Sequence, residues 1–271
     1  MIKKLLALNL AALAIVFLPS NASLTALLEH EEEFKQIYAL SRQGNFVLHN
    51  INGQVMVATW PEEKVEIRAI KKTKRDPKNL QLVKIEVESS AERVAVKTIY
   101  PRLRNTGVSV DFEILLPEKL ALTSLEVVNG QIKINGPLNR LKASLVNGNI
   151  QASEIEGAAD LETTNGQVEA SLASGPSRIK TVNGAVECQL LSLQENLTIE
   201  TVNGSIDVRL ESPESLNAYL DARTTNGGIS VDVPILFQNL RRTRGTLEGQ
   251  VGKGGPLLRL RTVNGPIRLI K

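Results

Sequence analysis

Val127-Val128-Asn129-Gly130 opens a phrase that returns as Val146-Asn147-Gly148, Thr164-Asn165-Gly166 and Val182-Asn183-Gly184, one copy every 18 residues. Further copies stand at Asn203-Gly204, Asn226-Gly227 and Asn264-Gly265, and an early one at Asn52-Gly53. An Asn-Gly pair between apolar stretches signals a turn, because both residues tolerate φ > 0. The glycine is read as serving that bend alone. Repetition at a period of about 20 residues marks a stacked-repeat architecture.

Aligned on their Asn, the copies fall into columns. Three residues on stand Val55, Ile132, Ile150, Val168, Val186, Ile206, Ile229 and Ile267; five residues on stand Val57, Ile134, Ala152, Ala170, Cys188, Val208, Val231 and Leu269. Four residues before the Asn stand Leu48, Leu125, Ala143, Leu161, Ile179, Ile199, Ala222 and Leu260. All are apolar, while the alternate positions (Gln131, Lys133, Gln151, Glu169, Glu187, Asp207, Arg268) are polar. Period-2 alternation with one buried face makes both arms strands.

Two architectures share this parity. In an antiparallel meander of Asn-Gly hairpins, a broad apolar face would need a cover, and the repeat region holds no amphipathic helix to supply one. A coil hides that face within itself and stacks like on like. The expected fold is therefore all-β, a single-chain β-solenoid resembling a right-handed β-helix, with coils of about 18–23 residues and a β-rich capping region before them. In such a stack Asn129, Asn147, Asn165, Asn183, Asn203, Asn226 and Asn264 form a turn ladder exchanging side-chain amide bonds at about 4.8 Å. The Thr column (Thr163, Thr181, Thr201, Thr224, Thr262) is expected to do likewise with hydroxyls. A surface Asn row also has a functional reading, a glycan-binding track; the turn ladder is the simpler one.

Taken in order, residues 1–22 read as a secretory signal peptide, with Lys3-Lys4, an apolar run from Leu5 to Leu18 and Ser20-Asn21-Ala22 as a small-residue cleavage site. That run is short for a membrane span, so no integral span is expected in the mature chain, which would be exported to the periplasm or cell surface. Removing it takes away two Lys and no acid, so the formal charge falls from +3 to +1. Residues 23–32 read as a mobile or helical lead-in. Residues 33–117 read as a β-rich N-terminal region with strands at 64–73, 81–88, 93–100 and 108–116, separated by turn signals such as Asp76-Pro77-Lys78-Asn79. Residues 118–271 hold the regular coils. Cys188, the only cysteine, falls in an apolar column and reads as a small buried hydrophobe.

The phrases Phe46-Val-Leu-His-Asn-Ile-Asn-Gly53, the serial Thr-Val-Asn-Gly-x-Ile runs and Gly252-Lys-Gly-Gly-Pro-Leu-Leu-Arg-Leu-Arg-Thr-Val-Asn-Gly265 resemble those of DUF4097, a bacterial exported family of unknown function also called adhesins. The resemblance covers nearly all of the mature chain. It implies a β-helix-like fold at the cell envelope or outside it, and no established enzymatic activity.

Catalytic, cofactor and metal sites are not expected. His30 and His49 lack metal-cluster or triad spacing, and the Gly252–Pro256 loop lacks the Gly-Lys-Ser/Thr ending of a phosphate loop. Glu162, Glu169 and Glu187 read as solvated charges in different columns on neighbouring coils. The rival reading is a carbohydrate-active β-helix enzyme, a polysaccharide lyase or hydrolase.

Charge is unevenly placed. Residues 150–222 carry twelve acids against three basic residues; residues 240–271 carry eight basic residues against one acid, Glu248; and residues 64–78 carry seven basic residues against two acids. The candidate contacts to an anionic envelope polymer, or to a protein partner, are Lys71, Lys72, Lys74, Arg75, Arg241, Arg242 and Arg244. Nucleic acid is not an expected partner, since aromatics make up only 3% of the chain. The coil ending at Lys271 is expected to lie uncovered at one end of the stack, inviting weak head-to-tail self-association. The reading as a whole is a non-enzymatic, adhesin-like binding or structural module.

Overall fold

The computed structural model describes residues 29–102, 105–173, 175–233, 235 and 237–271. The expected signal peptide and the first part of the lead-in, residues 23–28, lie outside them. Twenty-three strands are described. The N-terminal region holds β1 (His30–Ala39), β2 (Asn45–Asn52), β3 (Val55–Trp60), β4 (Lys64–Thr73), β5 (Lys84–Ser89), β6 (Arg93–Ile99) and β7 (Val108–Pro117). Strand β1 begins three residues inside the stretch read as a lead-in, because Glu31, Glu32 and Glu33 meet Lys72, Lys71 and Arg68 of the basic β4. The Asp76 turn signal becomes a 3-10 segment (Pro77–Leu82), started by the Asp76 carboxylate accepting from Lys78 N.

Regular coils follow, each a strand pair around an Asn-Gly corner: β8 (Leu122–Asn129) and β9 (Ile132–Asn135), β10 (Arg140–Asn147) and β11 (Ile150–Ile155), β12 (Ala158–Asn165) and β13 (Val168–Leu172), β14 (Ser177–Asn183) and β15 (Val186–Leu190), β16 (Leu197–Glu200) and β17 (Ile206–Leu210), β18 (Ala218–Asn226) and β19 (Ile229–Val231). A hairpin, β20 (Phe237–Arg242) and β21 (Thr246–Val251), precedes the last coil, β22 (Leu257–Asn264) and β23 (Ile267–Ile270). The first strand of each coil joins a 12-stranded sheet and the second an 11-stranded sheet. Coil-to-coil pairing is parallel and in register, Ala143 against Leu161 and Ile150 against Val168. The three apolar columns face inward between the two sheets; most of their members are fully buried, Cys188 among them. Burying each Val, Leu or Ile among them contributes roughly 1.5–3 kcal/mol.

The corner is held by stacking rather than by a hairpin. Each Asn side chain donates to its neighbour: Asn129 to Asn52 at 2.9 Å, Asn147 to Asn129 at 2.8 Å, Asn165 to Asn147 at 2.8 Å, Asn183 to Asn165 at 2.9 Å and Asn203 to Asn183 at 2.8 Å. The Thr column behaves differently from expectation. Its hydroxyls are buried and donate not to one another but to glycine carbonyls of the adjacent coil, Thr163 to Gly148 O at 3.2 Å and Thr224 to Gly265 O at 2.8 Å. The reason for glycine is also corrected. A Cβ at Gly148, Gly166, Gly184 or Gly204 would lie 1.7–1.9 Å from the carbonyl oxygen of the glycine one coil back. At Gly184 and Gly204 no positive φ is involved, so the close approach of stacked backbones excludes a side chain there.

Coil order in space departs from coil order in the chain at both ends. Strands β6 and β7 form the first coil, and β2 and β3 the second. Strands β4 and β5 cover that first coil in antiparallel pairing, and β1 covers β4. At the other end β22 lies between β16 and β18, and β23 between β17 and β19. The coil ending at Lys271 is therefore not the uncovered end of the stack. Coil 218–231 is outermost, with β21 laid antiparallel against β18 and β20 antiparallel against β21.

Candidate functional site

The two basic tracts sit at opposite ends of the solenoid and do not form one surface. In the first, β4 is neutralised by its neighbours. Lys71 is buried; its Nζ donates to Glu32 at 2.8 Å and to Leu80 O at 3.3 Å. Lys72 lies 3.4 Å from Asp111 and 3.7 Å from Glu31. Arg68 is shared between Glu33 and Glu113 at 2.6 and 2.7 Å, and these partners raise its pKa further above its ordinary value. Arg75 bonds Asn105 O at 3.0 Å, and the side chains of Lys74 and Lys78 stand exposed with no hydrogen bond or ion pair among the described residues. Lys71 and Lys72 are thus spent within the fold. Their partners come from β1 (Glu31 and Glu32), from β7 (Asp111) and from the Leu80 carbonyl.

The second tract divides in two. Arg259, Arg261 and Arg268 lie on the inserted coil and face acids of the coils on either side. Arg268 clamps Asp207 at 2.5 and 2.6 Å, Arg261 bonds Asp221, and Arg259 lies 3.7 Å from Asp221. Hydrogen bonding to Asp207 raises the Arg268 pKa further above its ordinary value. Arg241, Arg242 and Arg244 remain on the β20–β21 hairpin, all exposed. Arg241 is 3.9 Å from Glu248, and its side chain keeps 75% of its surface in solvent. The Arg242 and Arg244 side chains make no hydrogen bond or ion pair among the described residues. The hairpin turns at Thr243, whose N–H donates to Thr246 O at 2.9 Å. Exposed Leu240 stands beside the arginines, so the tip is cationic with an apolar shoulder.

The carboxylates correct a further expectation. Glu169 and Glu187 share one column with Asp207, directly opposite one another across β13, β15 and β17. They line a groove of about 680 Å³ on the outer face of the 11-stranded sheet, with Gln151, Arg209 and Asp232. A second groove of about 510 Å³ adjoins it through Gln151 and Ser153 and includes Lys133 and Arg68. The counting that places each of these acids four residues after its Asn is visible in the sequence. Glu169 accepts from Gln151 at 2.9 Å, Glu187 from Gln167 at 2.8 Å, and Asp207 is held by Arg268. Of the histidines, His49 Nδ1 is 2.9 Å from Glu126 and His30 begins β1. No group of three or more metal-ligating side chains occurs among the described residues. No described helix is long and apolar enough to cross a membrane.

No curated protein matches the chain. Among solved structures, a putative cell adhesion protein from Clostridium sporogenes is 16% identical, with 89% of this chain and 99% of that one covered at a TM-score of 0.40. A putative adhesin from Bacteroides fragilis is 13% identical, with 88% and 97% covered at a TM-score of 0.42. The family model for Toastrack DUF4097 matches residues 29–269, so the chain belongs to the Toastrack DUF4097 family.

Proposed function

We propose that the chain is an exported, adhesin-like binding module of the bacterial envelope that holds anionic polymer on the tip of the β20–β21 hairpin. The observation that carries this reading is the fate of the basic residues. Those of β4 and of the inserted coil are largely matched by carboxylates of the fold, whereas Arg241, Arg242 and Arg244 are left in solvent at one end of a rigid stack. Guanidinium groups suit phosphate and carboxylate because their donors form a planar fork. Export rests on residues 1–22, and N-terminal sequencing of the mature chain after Ala22 is its direct check.

Binding to a poly(glycerol phosphate) polymer and to phosphatidylglycerol vesicles tests the site. Affinity is expected to weaken as screening shortens from about 10 Å at 0.1 M salt to about 3 Å at 1 M. It is expected to be lost in the triple variant Arg241→Ser, Arg242→Ser, Arg244→Ser. Binding indifferent to salt or to the triple variant refutes the reading. The paired Glu169 and Glu187 in the groove favour one alternative, a polysaccharide lyase or hydrolase. Release of sugar fragments that disappears in Glu169→Gln and Glu187→Gln would establish it instead.

A further inference from the structure

The coil formed by β22 and β23 fills a slot whose walls precede it in the chain. One wall is coil 197–210 and the other is coil 218–231. Along the first wall Thr201 N donates to Arg261 O at 2.9 Å, Gly204 N to Asn264 O at 2.9 Å and Ile206 N to Pro266 O at 3.0 Å. Along the second, Gly265 N donates to Asn226 O at 3.0 Å, Ile267 N to Gly228 O at 3.0 Å and Asp232 N to Leu269 O at 2.8 Å. The Asn ladder runs straight through: Asn264 donates to Asn203 at 2.7 Å and accepts from Asn226 at 2.8 Å. Charge matches as well, with Arg268 on Asp207 of the first wall and Arg259 and Arg261 on Asp221 of the second.

The insert reaches its slot through one short connection, Gly252-Lys253-Gly254-Gly255-Pro256, which crosses from β21 on one side of β18 to β22 on the other. Gly252 and Gly254 hold φ of 59° and 76°, a left-handed conformation that reverses the chain within a few residues. A chain made from its N-terminus has both walls before it has the insert. Until the insert docks, each wall presents a row of unpaired strand donors and acceptors, which is a template for any matching strand.

We propose that this slot takes the same segment from a second copy of the chain. The β22–β23 pair is the exchangeable donor, Gly252–Pro256 is the hinge, and the occupant is another molecule of this protein rather than a foreign peptide. The Arg268–Asp207 clamp and the Arg261–Asp221 pair are the features that select it, and its Asn rung lets it continue the ladder common to all coils. Every contact of the closed monomer is remade between molecules on exchange, so the balance rests on the hinge and on concentration. This inference is independent of the polymer-binding reading, since Arg241, Arg242 and Arg244 take no part in the slot.

The test uses the full chain in a Cys188→Ala background. Asp207 and Arg268 are direct partners across β17 and β23, at the strand spacing of about 4.8 Å that falls within disulfide reach of about 4.4–6.8 Å between Cα atoms. The variant carrying both Asp207→Cys and Arg268→Cys is the control and closes within a monomer. Chains carrying only Asp207→Cys are mixed with chains carrying only Arg268→Cys, opened in mild denaturant at high concentration and returned to buffer containing oxidised glutathione, which takes up the two electrons of disulfide formation. A mixed disulfide dimer is the expected product. Deleting Lys253 and Gly254 shortens the hinge and is expected to make the dimer the major species; inserting four Gly/Ser residues is expected to restore the monomer. Absence of mixed dimer with both the native and the shortened hinge, while the control closes, overturns the proposal. If either single variant fails to fold, Thr198→Cys and Arg259→Cys, partners across β16 and β22, probe the same slot.

Discussion

A methyl group added at Gly184 would lie 1.9 Å from the carbonyl oxygen of Gly166 and 2.5 Å from its carbonyl carbon. Carbon and oxygen settle at about 3.3 Å, so the two coils must part by more than about 1 Å at this corner. Gly184 does not hold a positive φ, and the clash is the whole of the effect. Parting the corner strains the bonds that cross it: Gly166 N to Asn183 O at 2.9 Å, Val168 N to Ala185 O at 3.1 Å, Asn183 to Asn165 at 2.9 Å and Thr181 Oγ1 to Gly166 O at 3.2 Å. At a net worth of about 1 kcal/mol each, losing half of them costs about 2 kcal/mol. Overpacking strain adds about 1–3 kcal/mol, so Gly184→Ala is expected to destabilise by about 3–5 kcal/mol. Gly228 supplies the control. A Cβ there meets nothing within 4 Å, and Gly228→Ala is expected to be neutral or slightly stabilising through the unfolded chain. Urea unfolding followed by circular dichroism compares the two, with equal m-values required. A Gly184→Ala protein within about 0.5 kcal/mol of the parent, or a Gly228→Ala protein damaged as much, would refute the stacking account.

Asn165 sits inside the ladder with one bond donated and one accepted, whereas Asn226 makes one ladder bond; Asn165→Ala is therefore expected to lower stability about twice as much as Asn226→Ala, roughly 2 against 1 kcal/mol by the same unfolding assay. Arg268→Asp is expected to lower the urea midpoint and Asp207→Arg to do the same, while the double variant recovers most of the loss; an additive double variant would show that the clamp does not seat the inserted coil. Burial pushes the Cys188 thiol up to about 12. The thiol is expected to ignore a disulfide reagent at pH 8 until the chain unfolds, and rapid reaction in the native state would contradict its burial. Because the folded value exceeds the unfolded value of about 8.5, its contribution to stability is complete below about pH 8.5 and is lost as pH climbs through about 12.

The strands of the coils were legible because their evidence is local. Val168 and Ala170 alternate with Glu169 over three residues, and no knowledge of the rest of the chain is needed to assign their faces. The Asn ladder was legible for the same reason once the copies were aligned. Glu169 and Glu187 could have been joined by the same count from their Asn residues. The fate of the basic residues could not, because Lys71 and Arg268 find their acids on strands 39 and 61 positions away.

What the sequence determined by itself is the coil: its two strands, its apolar columns, its Asn-Gly corner and the parallel stacking that equal periods demand. What only the tertiary structure decided is which coil lies beside which. Each copy offers its neighbours nearly the same ladder, so backbone pairing and apolar columns cannot tell coil 218–231 from coil 257–270. The order is set by contacts that distinguish the copies, the Asp207, Asp221, Arg261 and Arg268 charges and the hairpin that must cover β18. Those contacts come from segments far apart in the chain, and their pairing exists only once the stack has closed.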